Sequence, residues 1–234
     1  MSFLFYSPEL LPNSKEITLS DEEGRHALRV LRMQVGDKIQ LLDGNGGLYV
    51  GEIISTQGKR CLIQLTDYQN FKSNRAFQVH IAIAPTKNTD RIEWFVEKAI
   101  EIGIDKITFL LTNHSERKVL KMERIQKIAI SAMKQSGNFY LPELVELTKL
   151  PAFLQAQSKE NSQKFMAYVP ANPAQTLFSE KQEGDICVLI GPEGGFSSQE
   201  VELAEKADFK AVSLGKTRLR TETAGVVACS VLNF

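Results

Sequence analysis

The sequence predicts a two-part chain, a small β-barrel with one helix over residues 1–72 and an α/β domain with a mainly parallel sheet over residues 73–234. Three observations lead there. The N-terminal third carries short runs in which apolar and polar positions alternate, the period of a half-buried strand. Beyond the polar stretch Gln69-Asn-Phe-Lys-Ser-Asn-Arg, strand-like and helix-like patterns take turns. Two of the later strands run into loops rich in glycine or in cations, and open α/β sheets bind ligands at the carboxyl ends of their strands. A length of 234 residues accommodates one or two domains with a real core.

In the first part, Phe3 to Tyr6, Lys38 to Leu42, Leu48 to Ile54 and Arg60 to Thr66 read as strands, and Asp43-Gly-Asn-Gly-Gly joins two of them as a hairpin. One helix interrupts them. It starts at Ser20, with Glu23 three residues on to complete a capping box, and carries Ala27, Leu28 and Leu31 at helical spacing. In the second part, Phe77 to Ala84 is a strand and Asp90 to Ile102 a helix with the stripe Ile92, Phe95, Val96, Ala99 and Ile100. Lys106 to Leu111 returns as a strand, which completes a βαβ unit. Leu120 to Gln135 is a helix, Lys164 to Val169 and Asp185 to Ile190 are strands, and Ser198 to Ala207 is a helix. Ala211 to Leu214 is the last strand, and Thr221 to Leu232 the closing helix.

With 28 basic and 28 acidic side chains the net field is close to zero, so a polyanionic partner must be met by a local patch. The N-terminus Met1-Ser-Phe-Leu-Phe-Tyr-Ser-Pro lacks the features of a secretory signal, and no apolar run is long enough to cross a membrane. A cytoplasmic protein without a membrane partner is expected. Cys61, Cys187 and Cys229 stand alone in apolar segments, the pattern of buried thiols. With His26, His80 and His114 equally scattered, neither a metal site nor a Ser/His/Asp triad is expected.

The most informative stretch is Val188-Leu-Ile-Gly-Pro-Glu-Gly-Gly-Phe-Ser-Ser-Gln-Glu, where an apolar strand enters Gly191, Gly194 and Gly195 before a helix capped by Ser197 or Ser198. Glycines there let backbone amides approach a ligand; a plain strand-turn-helix connection is the competing reading. The stretch lacks the endings of a Walker or dinucleotide loop, and Glu193 would repel a pyrophosphate. A second strand enters Leu214-Gly-Lys-Thr-Arg-Leu-Arg-Thr-Glu-Thr-Ala. Its Lys216, Arg218 and Arg220 suit either an anionic substrate or a solvated face. Thr221 or Thr223 can cap the last helix, and Glu222 in its first turn complements the macrodipole. A third basic stretch begins at Arg117. Val119, Met122 and Ile125 are core-spaced there, which places Lys118, Lys121 and Arg124 on the solvated face of a helix. Together with Arg25, Arg29 and Arg32 they could instead track a phosphate backbone.

Ile190-Gly-Pro-Glu-Gly-Gly-Phe-Ser, followed about twenty residues later by Leu-Gly-x-x-x-Leu-Arg-x-Glu-Thr-Ala, resembles the ribosomal RNA small subunit methyltransferase E family. His26-Ala-Leu-Arg-Val-Leu-Arg, Glu97-Lys-Ala-Ile-Glu-Ile-Gly, Ser115-Glu-Arg and Gln135-Ser-Gly extend the likeness over nearly the whole chain. The resemblance implies a PUA-like RNA-binding barrel, a SPOUT domain with a C-terminal trefoil knot, and a homodimer. It also implies methylation of N3 of a uridine in 16S rRNA of the small ribosomal subunit, with S-adenosyl-L-methionine as cofactor. The cofactor would lie among the segment after Tyr168-Val169, the loop of Ile190, Gly191, Pro192, Glu193, Gly194 and Gly195, and the loop of Leu214, Gly215 and Leu219. RNA would meet Arg25, Arg29, Arg32, Arg117, Lys118, Lys121, Arg124 and Lys216. Four positions depart from the family pattern: Thr217 and Arg218, where Thr217-Arg218-Leu219-Arg220 stands for Arg-Ile-Leu-Arg; Asn138, which stands for an arginine; and Lys134, which stands for a frequent glutamate.

Uridine N3 becomes a nucleophile when its proton leaves and charge spreads over O2 and O4, so a cation near those oxygens assists. Arg220 or Arg218 is the expected catalytic cation and Glu222 a candidate proton acceptor. Two other readings are a knotted methyltransferase acting on a ribose 2′-hydroxyl or another base, and a non-catalytic RNA-binding assembly factor.

Overall fold

The structure is a computed structural model that describes residues 3–73, 75–168 and 175–234. The chain divides into two compact units, Met1–Asn74 with Met133–Leu141, and Arg75–Ala132 with Pro142–Phe234.

The first unit is built on β1 (Leu4–Tyr6), β2 (Glu16–Thr18), β3 (Lys38–Leu42), β4 (Gly47–Gln57) and β5 (Arg60–Asn70), in the sheet order β1-β3-β4-β5-β2. β1 joins β3 in parallel and the other pairs are antiparallel. Period-2 alternation puts Phe5, Leu41, Tyr49, Ile53 and Ile63 into one core. The predicted hairpin is present, and its turn is held by Asp43, whose carboxylate accepts from the amides of Asn45 at 2.7 Å and Gly47 at 2.9 Å. β2 escaped prediction because only Ile17 of its three residues faces inward. The helix α1 (Asp21–Arg25) begins as expected, with Ser20 accepting from the Glu23 amide at 3.3 Å. The second half of the capping box is not made, because the Glu23 carboxylate turns to Lys134 at 2.5 Å. From His26 to Val30 the helix widens into a π-turn, after which Arg32 takes a positive φ of 58°. Phe139 and Tyr140 complete this unit, Phe139 stacked on Phe71 at 4.1 Å and the Tyr140 hydroxyl donating to the Phe71 carbonyl at 2.7 Å.

The second unit alternates strands and helices: β6 (Val79–Ile83), α2 (Thr89–Ile102), β7 (Lys106–Leu111), α3 (Met122–Ser136, its last turn from Met133 counted with the first unit), β8 (Glu143–Lys149), α4 (Leu150–Gln157) and β9 (Gln163–Ala167). There follow α5 (Leu177–Glu180), β10 (Ile186–Ile190), α6 (Ser198–Lys206), β11 (Lys210–Val212) and α7 (Thr221–Asn233). The sheet has the order β11-β9-β10-β6-β7-β8, with every pair parallel. β6 and β10 are buried at every residue, which is why their sequences are continuous apolar runs. The α2 stripe is fully buried, and Asn88 and a left-handed Gly103 close its two ends.

Three elements were not anticipated. β8 lies at the sheet edge without a buried residue, α4 is a short apolar helix opened by Pro151, and α5 is a single turn. α3 also starts later than its apolar spacing suggests. The Lys121 carbonyl accepts from the amides of Arg124 and Ile125, so residues 117–121 precede the helix. Ile125 is buried as expected, whereas Val119 is 72% exposed and belongs to no core stripe. All three cysteines are buried; burial pushes the Cys229 thiol up to about 12 and raises those of Cys61 and Cys187. No helix among the described residues is long and apolar enough to cross a membrane.

Candidate functional site

At the carboxyl ends of β9, β10 and β11 lies a cavity of about 670 Å³, within the range of small-ligand pockets. Ile190 to Phe196 form one wall, and Val212 through Thr221 form the other, with Ala167, Tyr168 and Ala224 closing it. The expected residues Ile190, Gly191, Pro192, Glu193, Gly194, Gly195, Leu214, Gly215 and Leu219 all line it, as do Lys216, Arg218 and Arg220. Val169 lies outside the described residues. Ala167, Tyr168, Phe196, Val212, Ser213, Thr221 and Ala224 were missed as lining residues. They sit at strand ends, in the turns around the motif glycines and cations and in the first turn of α7, and sequence alone does not tell which neighbours of a loop turn inward.

The glycine loop is a tight backbone turn. The Gly195 amide donates to the Pro192 carbonyl at 2.8 Å, and Gly195 has a φ of +71°, a conformation open to glycine at no steric cost. A Cβ on Gly191 would lie 3.2 Å from the Phe196 ring. α6 then begins at Ser197, whose hydroxyl and amide close a reciprocal capping box with Glu200. The Glu193 carboxylate faces away from a free role, accepting from the Lys87 amide at 3.2 Å, and its carbonyl accepts from Arg218 at 3.3 Å. The second loop is shaped by Ser213, which accepts from the Gly215 amide at 3.2 Å and donates to the Gly215 carbonyl at 2.8 Å.

The start of α7 corrects the expected threonine cap. Arg220 is the N-cap and supplies no side-chain hydrogen bond, while the Thr221 hydroxyl donates instead to the Gly191 carbonyl at 3.0 Å. This draws the cation loop and the glycine loop into one site. Arg220, Arg218 and Lys216 are exposed, so among the described residues the cavity rim is basic against the one carboxylate of Glu193. Glu222 does not line the cavity. It is buried in the first turn of α7, with Oε1 3.7 Å from Arg91 Nε and Oε2 without a hydrogen-bond partner.

The remaining basic residues divide. Arg25 at the end of α1, Arg29 in the π-turn and Arg32 after it are exposed on the first unit. In the second unit Arg117 donates to the Lys87 carbonyl through Nε at 3.1 Å and Nη2 at 2.5 Å. Lys118, Lys121 and Arg124 line a shallow hollow in front of α3 with Glu146. Arg124 is gripped there by Glu93 at 2.6 and 2.7 Å, whereas Lys118 and Lys121 are exposed. Among the described residues no group of three or more His, Cys, Asp or Glu side chains could hold a metal ion.

A parallel α/β unit with a basic, glycine-walled cavity at its strand ends defines a class that comparison makes explicit. The RNA methyltransferase domain profile matches residues 72–233, and that of the RNA methyltransferase PUA domain matches residues 19–66. The chain is 30% identical to ribosomal RNA small subunit methyltransferase E of Synechocystis sp. over 93% of its own length and 72% of the relative's. Among solved structures it is 40% identical to a probable rRNA-methyltransferase of Porphyromonas gingivalis, with a TM-score of 0.87 and coverage of 98% and 96% of the two chains. It is 28% identical to the ribosomal RNA small subunit methyltransferase E of Neisseria gonorrhoeae bound to S-adenosyl methionine, with a TM-score of 0.86 over 99% and 97%. The chain belongs to the ribosomal RNA small subunit methyltransferase E family.

Proposed function

We propose that this protein transfers the methyl group of S-adenosyl-L-methionine to N3 of a uridine in 16S rRNA of the small ribosomal subunit. The observation that carries this reading is the single cavity formed by the glycine loop and the cation loop, tied together by Thr221 and Gly191. The fit to the cofactor rests on that cavity's volume and on a wall of glycine backbone that admits close approach. Ile190, Gly191, Pro192, Glu193, Gly194, Gly195, Leu214, Gly215 and Leu219 hold the cofactor, with Val169 from the adjoining segment. The cofactor supplies an electrophilic methyl on a sulfonium centre. The protein orients the uracil in line with it, and orientation in a dry pocket supplies much of the rate. Arg220 or Arg218 stabilises the charge that develops on O2 and O4 as the N3 proton departs. Glu222, the proton acceptor expected from the sequence, is buried beside Arg91 and does not line the cavity, so it stands outside direct reach of a uracil held there.

RNA affinity is assigned to Arg25, Arg29, Arg32, Arg117, Lys118, Lys121, Arg124 and Lys216. Residues 1–72, as a PUA-like barrel, serve binding, and residues 73–234, apart from the segment Met133–Leu141 that belongs to the first unit, form a SPOUT domain for chemistry. A C-terminal trefoil knot is part of this reading; α7 follows β11 at the sheet edge yet packs against central β6 and β10, which supports it. A homodimer fits the uncharged, half-buried Val226, Val227 and Val231 of α7 and the exposed Trp94 of α2. A substrate of this kind places the protein in the cytoplasm. The test is nucleoside mass spectrometry of small subunits incubated with protein and cofactor: 3-methyluridine is expected, and a 2′-O-methylated product, or none alongside absent cofactor binding, overturns the reading.

A further inference from the structure

The loop between β7 and α3 makes two contacts with the capping box of α6 and one with the glycine loop that neither the motifs nor the cavity lining brings out. The Asn113 amide donates to Glu200 Oε1 at 2.8 Å, and its side-chain amide donates to Ser197 Oγ at 2.9 Å, so the capping box of α6 is extended by a second strand exit. The loop is itself held rigid, since the Ser115 hydroxyl accepts from the Thr112 amide at 3.0 Å and is paired with the buried Thr112 hydroxyl at 2.9 Å. Between these two anchors stands His114. Its Nδ1–H donates to the Gly195 carbonyl at 3.1 Å, and a Cβ built on Gly194 would lie 3.0 Å from the His114 Cβ.

We infer that His114 is a positioning residue of the cofactor site, fixing Gly194 and Gly195 from behind through the hydrogen bond from Nδ1 to the Gly195 carbonyl. This rests on the assignment of the glycine loop to the cofactor. The physical reason is that two adjacent glycines, one at positive φ, have more backbone freedom than any other pair, and ordering them on binding costs affinity. A donor held on the outer side of the loop orders it beforehand. His114 does not line the cavity, so its effect passes through backbone geometry and not through contact with ligand. The bond requires a proton on Nδ1, a geometry that the side-chain amide of asparagine can also supply.

The experiment titrates S-adenosyl-L-methionine into wild type, His114→Ala and His114→Asn by calorimetry, with melting temperatures and cofactor KM and kcat measured in parallel. His114→Ala is expected to raise Kd and cofactor KM about 5- to 10-fold, the scale of one neutral hydrogen bond, with kcat at saturating cofactor and Tm unchanged. His114→Asn should return Kd to within about twofold of wild type. Wild-type affinity in His114→Ala, or failure of His114→Asn to restore it, overturns the positioning role and leaves the functional reading standing. Absence of cofactor binding in the folded wild type overturns the functional reading and this inference with it.

Discussion

The Thr221 hydroxyl reaches the Gly191 carbonyl at 3.0 Å, joining the first turn of the last helix to the first residue of the glycine loop. Arg220 immediately precedes that tether, so the tether also sets where the candidate catalytic cation stands. Thr221→Val should lose about 1–3 kcal/mol of local stability, because Thr221 is only 5% exposed and the substitution leaves the Gly191 carbonyl without its hydroxyl donor. Cofactor affinity and methylation are expected to fall together, and Thr221→Ser to retain both. Calorimetry with single-turnover rates checks this; an unchanged affinity in Thr221→Val would show that the two loops need no tether.

Arg220→Ala separates charge stabilisation from RNA anchoring. If the guanidinium stabilises the uracil oxygens, single-turnover methylation should drop about 10²-fold with cofactor affinity unchanged. If it holds a phosphate, the loss appears as weaker, less salt-dependent RNA binding, and saturating RNA restores the rate. Lys216→Ala is the comparison, expected to show the salt effect without the rate effect, since a flexible ammonium acts as a point charge.

In front of α3 the cations are not equivalent. Arg124 already spends its guanidinium on Glu93, while Lys121 is exposed. Lys121→Ala is therefore expected to weaken RNA binding severalfold and lower its salt slope by about one, with Arg124→Ala the milder change. Binding isotherms at two or three salt concentrations measure both.

Stability below neutral pH should depend on His80. Burial, with a smaller contribution from Lys106, lowers its pKa from 6.5 to about 3, and Nε2 is hydrogen-bonded to Thr108 at 2.8 Å. Below pH 6.5 the unfolded chain binds a proton that the folded chain refuses, so the stability present above 6.5 is lost as pH falls. The loss by pH 5 is about 2 kcal/mol. Urea denaturation at pH 7 and pH 5 checks this, and His80→Gln should show a smaller difference between the two.

Long periodic segments were legible without tertiary information. The five-residue stripe of α2, the hairpin around Asp43 and the apolar run of β10 each satisfy their pattern within one element, so local spacing suffices. The elements missed were those whose pattern is supplied by neighbours: β8 pairs at an edge with no buried residue, and β2 is three residues long. Glu23 illustrates the same limit on the scale of one side chain. Its spacing from Ser20 announces a reciprocal cap, but Lys134, 111 residues away, takes the carboxylate.

For the site, sequence by itself determined that three glycines would stand at a strand end and that three cations would follow the last strand, because both are written in consecutive residues. Tertiary structure alone decided which of those groups share a cavity. Parallel pairing of β9 with both β10 and β11 brings their loops together from positions far apart in the chain. Thr221 is turned from a helix cap into a tether, Glu222 is buried beside Arg91, and His114 is placed behind Gly195. Hydrogen-bond partners at long sequence separation are chosen by packing, since a buried polar group pairs with whatever the fold sets within about 3 Å of it.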